Sequence, residues 1–333
     1  MKLHTKIFGL ILIVLLLSLI LFMKIFHQDN NDMVIARNPD FFGVTFSKKY
    51  AAEIGLDWHE VYLAILDDLK VKNIRLPIYW DEIEPVKDAF DYSDYDSMIS
   101  EGAKRKVNFI INIGWRLPRW PECHAPAWTN GDSISTIQER DLNMLAKTVN
   151  RYKDNPAILY WQVENEPFVD VFGICPKSDE AFFAKEVALV QSLDKRPVIV
   201  SGPGELNMWR KESKYGDIFG TTLYRVVWNK FTGYVRYPIP SWFYGFKAWL
   251  AGIPKDKRII AELQAEPWVP QGKIIYLSST EANYSFSLGQ FKSNLQYALD
   301  TKFKKAYLWG VEWWYWQYKY GDKSFWEFAR TLF

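Results

Sequence analysis

The sequence predicts a (β/α)8 barrel, and two observations favour that fold. Eight short apolar segments alternate with segments of helical periodicity between residues 41 and 333. The roughly 290 residues of this region match a barrel, whose usual size is about 250 residues plus loops. An open doubly wound sheet would show the same alternation, but no G-x-G-x-x-G follows the first predicted strand and no P-loop occurs in the chain.

The predicted strands and helices follow one another in regular order. The strands are expected at 42–46, 74–80, 107–115, 157–166, 196–202, 217–224, 258–264 and 305–313. The helices are expected at 56–70, 92–106, 136–152, 178–193, 204–214, 240–252 and 283–300, and residues 323–333 close the chain. Ser93 is expected to cap the helix at 92–106. Apolar strands that alternate with helices indicate a parallel sheet covered by helices.

Charge and composition exclude one class of partner. The formal net charge is +2, from 41 basic and 39 acidic residues, so nothing in the charge balance favours nucleic acid. Aromatic residues make up 17% of the chain and include 16 Trp. Such side chains suit packing, interfaces and sugar faces alike. Most of the tryptophans in the predicted loops are expected to pack against the barrel, with two or three lining a binding cleft. No obligate protein partner is indicated.

Residues 7–23 form an uncharged and almost wholly apolar run, preceded by Lys2 and Lys6 and followed by Lys24. Seventeen residues is the short end of the range that spans a bilayer. No small-residue cleavage site or lipobox cysteine follows the run, so we expect an uncleaved signal anchor in the cytoplasmic membrane. The lysines would keep the N-terminus inside, with the rest of the chain on the outer face. The predicted domains are an anchor at 1–26, a polar linker at 27–40 and the barrel at 41–333.

The chain contains two cysteines, Cys123 and Cys175, both in the predicted exported part, where a disulfide persists. They follow the third and fourth predicted strands, so their loops are neighbours on one face of the barrel and we expect them to bridge. The four histidines are scattered, and neither cysteine has the spacing of a metal site. No metal or other cofactor is therefore predicted.

Polar and aromatic residues stand at the carboxyl ends of the predicted strands, where barrels of this class carry their chemistry. These residues are Arg75, Trp115, Asn165, Glu166, Tyr224, Glu262, Trp309 and Trp313. Two of them, Glu166 on the fourth strand and Glu262 on the seventh, would face each other across the mouth of the barrel. Paired carboxylates suit glycoside hydrolysis, in which one acid protonates the leaving oxygen and the other attacks or activates water. An acid at a strand end can also cap the next helix or pair with a local cation.

Three segments of the sequence carry a resemblance to a known group of enzymes. They are Asn165-Glu166-Pro167 at the end of a fourth strand, IRLPIYWDEIEP at 74–85 and IIAELQ at 259–264. Together they resemble the retaining glycoside hydrolases of clan A, as in families 5, 39 and 42. The resemblance implies that Glu166 is the acid/base and Glu262 the nucleophile. It also implies that Asn165 binds the sugar 2-hydroxyl and that Arg75 keeps the nucleophile ionised. Tyr224 would lie beside the nucleophile, and Trp309 would form the floor under the sugar.

Two other acids compete for these roles. Glu164 shares the strand face of Glu166 and is expected one layer deeper, as a barrel-interior acid that needs a partner. Glu266 is a rival nucleophile, but it falls four residues beyond Glu262, in the loop. The predicted function is hydrolysis of a β-linked oligo- or polysaccharide by double displacement. The alternatives are a barrel that binds glycan without cleaving it and a transglycosylase that remodels an envelope polysaccharide.

Overall fold

Eight parallel strands close into a barrel in the computed structural model, which describes residues 33–205 and 207–333. The barrel strands are β1 (Phe42–Thr45), β2 (Asn73–Pro77), β3 (Asn108–Ile113), β4 (Ile158–Val163), β5 (Val198–Gly202), β6 (Ile218–Leu223), β9 (Arg258–Gln264) and β10 (Ala306–Trp309). An antiparallel hairpin, β7 (Val226–Asn229) and β8 (Gly233–Arg236), follows the sixth strand. Strand β1 closes the barrel by pairing with both β2 and β10, so the predicted fold class is confirmed.

Helices pack around this barrel. They are α1 (Lys48–Glu53), α2 (Trp58–Asp67), α3 (Trp80–Ile83), α4 (Ser93–Lys104), α5 (Ile134–Tyr152), α6 (Glu180–Leu193), α7 (Trp242–Leu250), α8 (Ser279–Ser285), α9 (Leu288–Asp300), α10 (Val311–Tyr320) and α11 (Ser324–Ala329). Side-chain oxygens fix several helix starts, since Ser133 accepts the amide of Thr136 and Asp179 accepts those of Ala181 and Phe182.

The structure corrects three of the predicted elements and one predicted helix cap. The strand expected at 305–313 ends at Trp309, and a helix begins at Val311, because Gly310 takes a φ of +132° that breaks the strand. The region 204–214 holds only a short 3-10 turn at Glu212–Lys214 among its described residues. The helix expected at 283–300 is divided into two, with Ser287 capping the second. Asp91, rather than Ser93, accepts the first amide of α4.

Apolar side chains form two layers. Ile110, Ile199, Ile259 and Tyr307 form a small cluster inside the barrel, on the face that also carries Arg75. A far larger cluster fills the space between the strands and the surrounding helices. Inside the barrel the apolar layer gives way to polar side chains towards the carboxyl ends of the strands.

The predicted linker and anchor are only partly within the described residues. Residues 33–40 lie against the barrel, where Ile35 is buried and the amide of Asn38 donates to the carbonyl of Leu332. Across 33–205 and 207–333, no helix combines the length and the apolar character needed to cross a membrane. The run at 7–23 lies outside the described residues, so the anchor stays a prediction.

Candidate active site

Glu166 and Glu262 are brought together by the pairing of strands β6 and β9. Thr222 on β6 lies directly beside Glu262 in the strand register. The Thr222 hydroxyl donates a hydrogen bond of 2.8 Å to Oε1 of Glu166. The two predicted acids therefore meet at the mouth of the barrel, as the sequence indicates. Glu262 is buried, whereas Glu166 is half-buried.

Arg75 lies beneath these acids and orients the site. Its Nη1 donates to Oε1 of Glu262 at 2.8 Å, and its Nε donates to Oε1 of Gln162 at 2.8 Å. Its Nη2 donates to the side-chain oxygens of Asn112 and Asn165 at 3.0 and 2.9 Å. Because the planar Arg75 guanidinium donates to four acceptors, its orientation is fixed. The Glu262 carboxylate is therefore held in place.

Tyr224 contacts the other oxygen of Glu262. Its hydroxyl donates to Oε2 of Glu262 at 3.1 Å, and its ring packs edge-on against Trp268. Burial and the Glu262 carboxylate raise the pKa of Tyr224 well above its usual value, so the phenol stays protonated and acts as a donor. Glu262 thus accepts hydrogen bonds from a cation and from a neutral hydroxyl, both within 3.1 Å.

Glu166 lies in a different electrostatic environment. Burial and the nearby Glu262 carboxylate raise the pKa of Glu166 to about 8. Its side chain accepts a hydrogen bond from Thr222, which is neutral, and no described cation forms an ion pair with it. Its backbone amide donates to Ser201 at 3.0 Å, and its φ of +48° turns the chain sharply at this point. Glu166 is therefore protonated over a pH range in which an ordinary carboxyl is ionised.

Asn165 lies between Arg75 and Glu166. Its Oδ1 accepts hydrogen bonds from Arg75, from Gln162 at 3.4 Å and from Ser201 at 3.3 Å. Because these donors fix the oxygen, the Nδ2 amide is the group that points away from Arg75 and remains available as a donor.

The rival acid Glu266 belongs to a separate ion-pair network. Arg119 donates to Glu266 and, at 3.0 Å, to Glu312. The Arg119 guanidinium also stacks on Tyr50 at 3.5 Å and on Trp309 at 3.8 Å. Glu266 is thus engaged by a buried arginine that does not contact Glu262. One face of Trp309, the expected floor under a sugar, is covered by Arg119.

The two other aromatic residues predicted to bind substrate differ in their surroundings, and substrate binding by Trp115 stays a prediction. Trp313 is on α10 rather than at a strand end, is 2% exposed, and packs against Phe286 and Phe325. That position offers no open ring face to a sugar. Trp115 lines a cavity of about 150 Å³ together with Glu164, Glu186 and the two cysteines. Both placements follow from local chain turns that the apolar pattern does not reveal.

The sequence predicts Glu164 inside the barrel, but the structure does not place it there. Its carboxylate accepts the backbone amides of Trp115 and Arg116 and approaches Asp141 and Glu186, which belong to the outer helices α5 and α6. The φ of Glu164 is +58°, which departs from extended backbone and ends the period-two alternation of the strand. This is why Glu164 and Glu166 point to different sides of the barrel wall.

Two further acids at the site were not predicted. Burial raises the pKa of Glu205 to about 7, and its Oε1 accepts the Tyr244 hydroxyl at 2.6 Å and the Tyr224 amide at 3.0 Å. Burial and the charge of Glu262 raise the pKa of Glu122 well above its usual value. Glu205 follows the fifth strand, a position at which the sequence pattern could have indicated it. Glu122 lies in an irregular loop that carries no such signal.

The predicted disulfide is present. Cys123, in the loop after β3, is bonded to Cys175, in the loop after β4, with their Cα atoms 5.3 Å apart. This bond joins the two loops beside the site. The exposed rings of Trp120 and Phe172 on the same loops contact each other edge to face.

Comparison with known proteins places the fold among glycoside hydrolase barrels. A cold-adapted β-galactosidase from Rahnella sp. R3 aligns with a TM-score of 0.57 and 10% identity, over 81% of this chain and 50% of that enzyme. A GH5_18 protein from Streptomyces cattleya, solved in complex with GlcNAc, aligns with a TM-score of 0.53 and 12% identity, over 83% and 71%. A GH5_18 protein from Bifidobacterium longum subsp. longum aligns with a TM-score of 0.56 and 10% identity, over 82% and 70%.

The chain spans half the length of the Rahnella enzyme. No protein-family model matches the chain, and no curated protein sequence matches it significantly. At identities of 10–12% the structural likeness establishes the fold, and it agrees with the resemblance to families 5 and 42 drawn from the sequence. It does not single out one family.

Proposed function

We propose that the chain is a glycoside hydrolase that cleaves a β-linked glycan by a retaining mechanism. The observation that carries this proposal is the contrast between two neighbouring carboxyl groups. Glu262 is bound by the Arg75 guanidinium, whereas Glu166 has a neutral partner and a pKa raised to about 8. Paired titratable groups whose environments differ in this way take opposite roles in acid–base chemistry.

In the first step, Glu166 protonates the glycosidic oxygen while Glu262 attacks the anomeric carbon. The leaving group departs as an alcohol, and a glycosyl ester forms on Glu262. Loss of its proton leaves Glu166 as a carboxylate, which then takes a proton from an incoming water molecule. That water attacks the anomeric carbon, displaces Glu262 and restores the starting protonation states.

The remaining polar groups support this chemistry by position. Arg75 and Tyr224 bind the two oxygens of Glu262, which keeps one of them aimed at the sugar. The free Nδ2 of Asn165 is the donor that would bind a sugar hydroxyl next to the anomeric carbon. The exposed rings of Trp120 and Phe172 give the rim of the site apolar faces of the kind that stack on sugars.

Hydrolysis of aryl β-glycosides tests the proposal. The panel should include β-galactosides, because the Rahnella neighbour is a β-galactosidase, and N-acetyl-β-glucosaminides, because one GH5_18 neighbour was solved with GlcNAc. The anomer first released, followed by proton NMR, should be β. Release of the α anomer would indicate inversion, and no hydrolysis or glycosyl transfer on any substrate would favour a glycan-binding barrel.

Attachment to the membrane is a separate proposal that depends on the apolar run at 7–23. This segment would hold the chain in the cytoplasmic membrane with the barrel on the outer face. The full-length chain should stay with membranes after extraction at alkaline pH and be released by detergent. Quantitative release by alkaline carbonate alone would contradict the anchor.

A further inference from the structure

Three buried carboxylates meet on the outer side of the barrel wall, behind strand β4. They belong to Asp141 on α5, Glu164 at the end of β4 and Glu186 on α6. One oxygen from each lies within 4.8 Å of the others, and none of the three residues is more than 5% exposed. Three elements of the fold thus direct acidic groups to one point.

The geometry around Glu164 holds its carboxylate at that point. Its Oε1 accepts the Trp115 amide at 2.6 Å, and its Oε2 accepts the Arg116 amide at 2.7 Å. Gly114 allows this approach, because a Cβ there would lie 2.3 Å from Oε1 of Glu164. Two amide donors stabilise the ionised form of Glu164.

The other two acids have oxygens without a protein donor. Both side-chain oxygens of Asp141 and Oε1 of Glu186 are buried and accept no hydrogen bond from a described amide, hydroxyl or cation. Their close neighbours are one another's carboxyl groups, since Glu186 lies within hydrogen-bonding reach of both Asp141 and Glu164. No ion pair within 33–205 and 207–333 involves any of the three acids. Arg116 acts on Glu164 only at longer range, since its guanidinium donates to the carbonyl of Phe172 at 2.7 Å. Buried charges are ordinarily paired or bound to metal, yet no described cation bonds directly to this cluster.

We propose that Asp141, Glu164 and Glu186 bind a hard divalent cation, with Ca²⁺ as the best fit. Carboxylate oxygens are the ligands that Ca²⁺ prefers. Its bonds of about 2.3–2.6 Å place opposite ligand oxygens up to about 5.2 Å apart, which accommodates the observed spacing. The cavity of about 150 Å³ lined by Glu164 and Glu186 leaves room for the water molecules that complete its coordination.

Proton sharing is the competing explanation for the same cluster. Burial raises the pKa of Asp141 and of Glu186 well above the usual range, and that of Glu164 to about 7. Without a cation, the cluster would therefore hold protons that neighbouring carboxyl groups share, as the contacts of Glu186 with Asp141 and Glu164 allow. A cation replaces those protons with a charge that attracts all three carboxylates, so the two explanations differ in whether metal is bound at all.

The position of the site gives the cation a structural effect. It would join helices α5 and α6 to the end of β4, two residues before Glu166. The proposal does not depend on glycosidase activity, because binding is measured directly on the protein.

Metal binding by the intact chain tests the proposal. The purified protein is stripped with EDTA at neutral pH, equilibrated with Ca²⁺ and analysed by equilibrium dialysis and metal analysis. We expect one Ca²⁺ per chain and a Tm about 5 °C higher at Ca²⁺ concentrations near 100 times the Kd. Binding of Mg²⁺ or Mn²⁺ at the same stoichiometry would support the site and change the preferred ion. A chain that takes up none of these ions and keeps its Tm would overturn the proposal and favour proton sharing.

Two substitutions locate the ion. Glu186→Gln should lose the bound Ca²⁺ and its effect on Tm. Glu212→Gln is the matched control, because Glu212 is also a buried acid with an unpartnered oxygen but has no carboxylate cluster around it. The control should bind Ca²⁺ like the parent chain. Equal binding by Glu186→Gln would overturn the assignment, and if that variant does not fold, Asp141→Asn takes its place.

Discussion

Arg75 and Glu262 form an ion pair inside the barrel, with Nη1 and Oε1 2.8 Å apart and both side chains at most 5% exposed. The two residues are 187 positions apart in the chain, on the second and seventh barrel strands. The pair is therefore a product of barrel closure. It fixes the nucleophile proposed here and anchors the polar layer at the mouth of the barrel.

Replacing Arg75 with Met should destabilise the protein strongly. The change leaves Glu262 as an unpaired buried charge and removes donors from Gln162, Asn112 and Asn165. Loss of one partner of a buried pair costs about 3–5 kcal/mol. Urea unfolding measures this loss as a reduced free energy of unfolding.

Arg330→Met is the matched control for that substitution. Arg330 forms a pair with Asp68 at 2.8 Å, but its side chain is 36% exposed. An exposed pair contributes at most about 1 kcal/mol, so the control should unfold near the parent midpoint. Equal losses in the two variants would show that the buried Arg75–Glu262 pair stabilises the fold no more than the exposed Arg330–Asp68 pair.

The two glutamates should differ in how their removal affects turnover. Glu262→Ala should be inactive on every substrate, because no glycosyl ester can form. Glu166→Ala should lose about 10²–10⁴-fold on substrates with poor leaving groups but keep a measurable first step on an activated aryl glycoside. Azide should rescue Glu166→Ala and give a β-glycosyl azide, identified by mass spectrometry and NMR.

Glu266→Ala serves as the comparison for these variants. Glu266 is paired with Arg119, outside the contacts of Glu262, so its loss should lower stability and leave the chemistry in place. If Glu266→Ala rather than Glu262→Ala abolishes all turnover, the assigned nucleophile is wrong.

The pH dependence of kcat/KM should have an alkaline limb set by Glu166. The acid must be protonated in the first step, and its folded pKa is about 8 against an ordinary value of 4.5. The active form is thus fully present at pH values well below 8 and is lost as pH rises through 8. The limb should be absent in Glu166→Ala with an activated substrate.

Thr222→Val tests the cause of that limb. The Thr222 hydroxyl stabilises the ionised form of Glu166, so removing it should move the alkaline limb about 0.5–1 pH unit higher. Thr221→Val is the control, because the Thr221 hydroxyl donates to the carbonyl of Thr222 and does not contact Glu166. A limb at the same pH in both variants would contradict the role assigned to Thr222.

Removal of the disulfide should lower stability. Cys123 and Cys175 are 52 residues apart, and closing such a loop contributes about 4 kcal/mol in the chain-entropy model. The double variant Cys123→Ala, Cys175→Ala should unfold at a correspondingly lower denaturant concentration. Mass-based thiol labelling of the purified parent chain should find no free thiol, and two labelled cysteines would contradict the bond.

The barrel and the central residues of the site could be predicted from the sequence. Short apolar runs predict the buried strands, and barrel topology brings the carboxyl ends of those strands to one face. Arg75, Glu166 and Glu262 could therefore be placed together without knowledge of any contact.

Other features could not be predicted, for identifiable physical reasons. Asp141 and Glu186 stand within the buried faces of their helices. The spacing of apolar residues does not show which groups of other elements those faces meet, so the carboxylate cluster appears only once the packing is known. Trp313 follows a short apolar run whose pattern fits a strand or a buried helix equally well. Arg119 and Glu122 lie in an irregular loop, where no periodicity relates sequence to position.

Covalent trapping of Glu262 tests the central claim most directly. An activated 2-deoxy-2-fluoro-β-glycoside, built on whichever sugar the aryl glycoside panel identifies as the substrate, should form a stable ester, because the fluorine slows breakdown of the glycosyl-enzyme. The account predicts one added glycosyl mass per chain, and peptide mapping should place it on Glu262. An adduct on Glu266, or turnover of the parent substrate with no trapped intermediate, would contradict it.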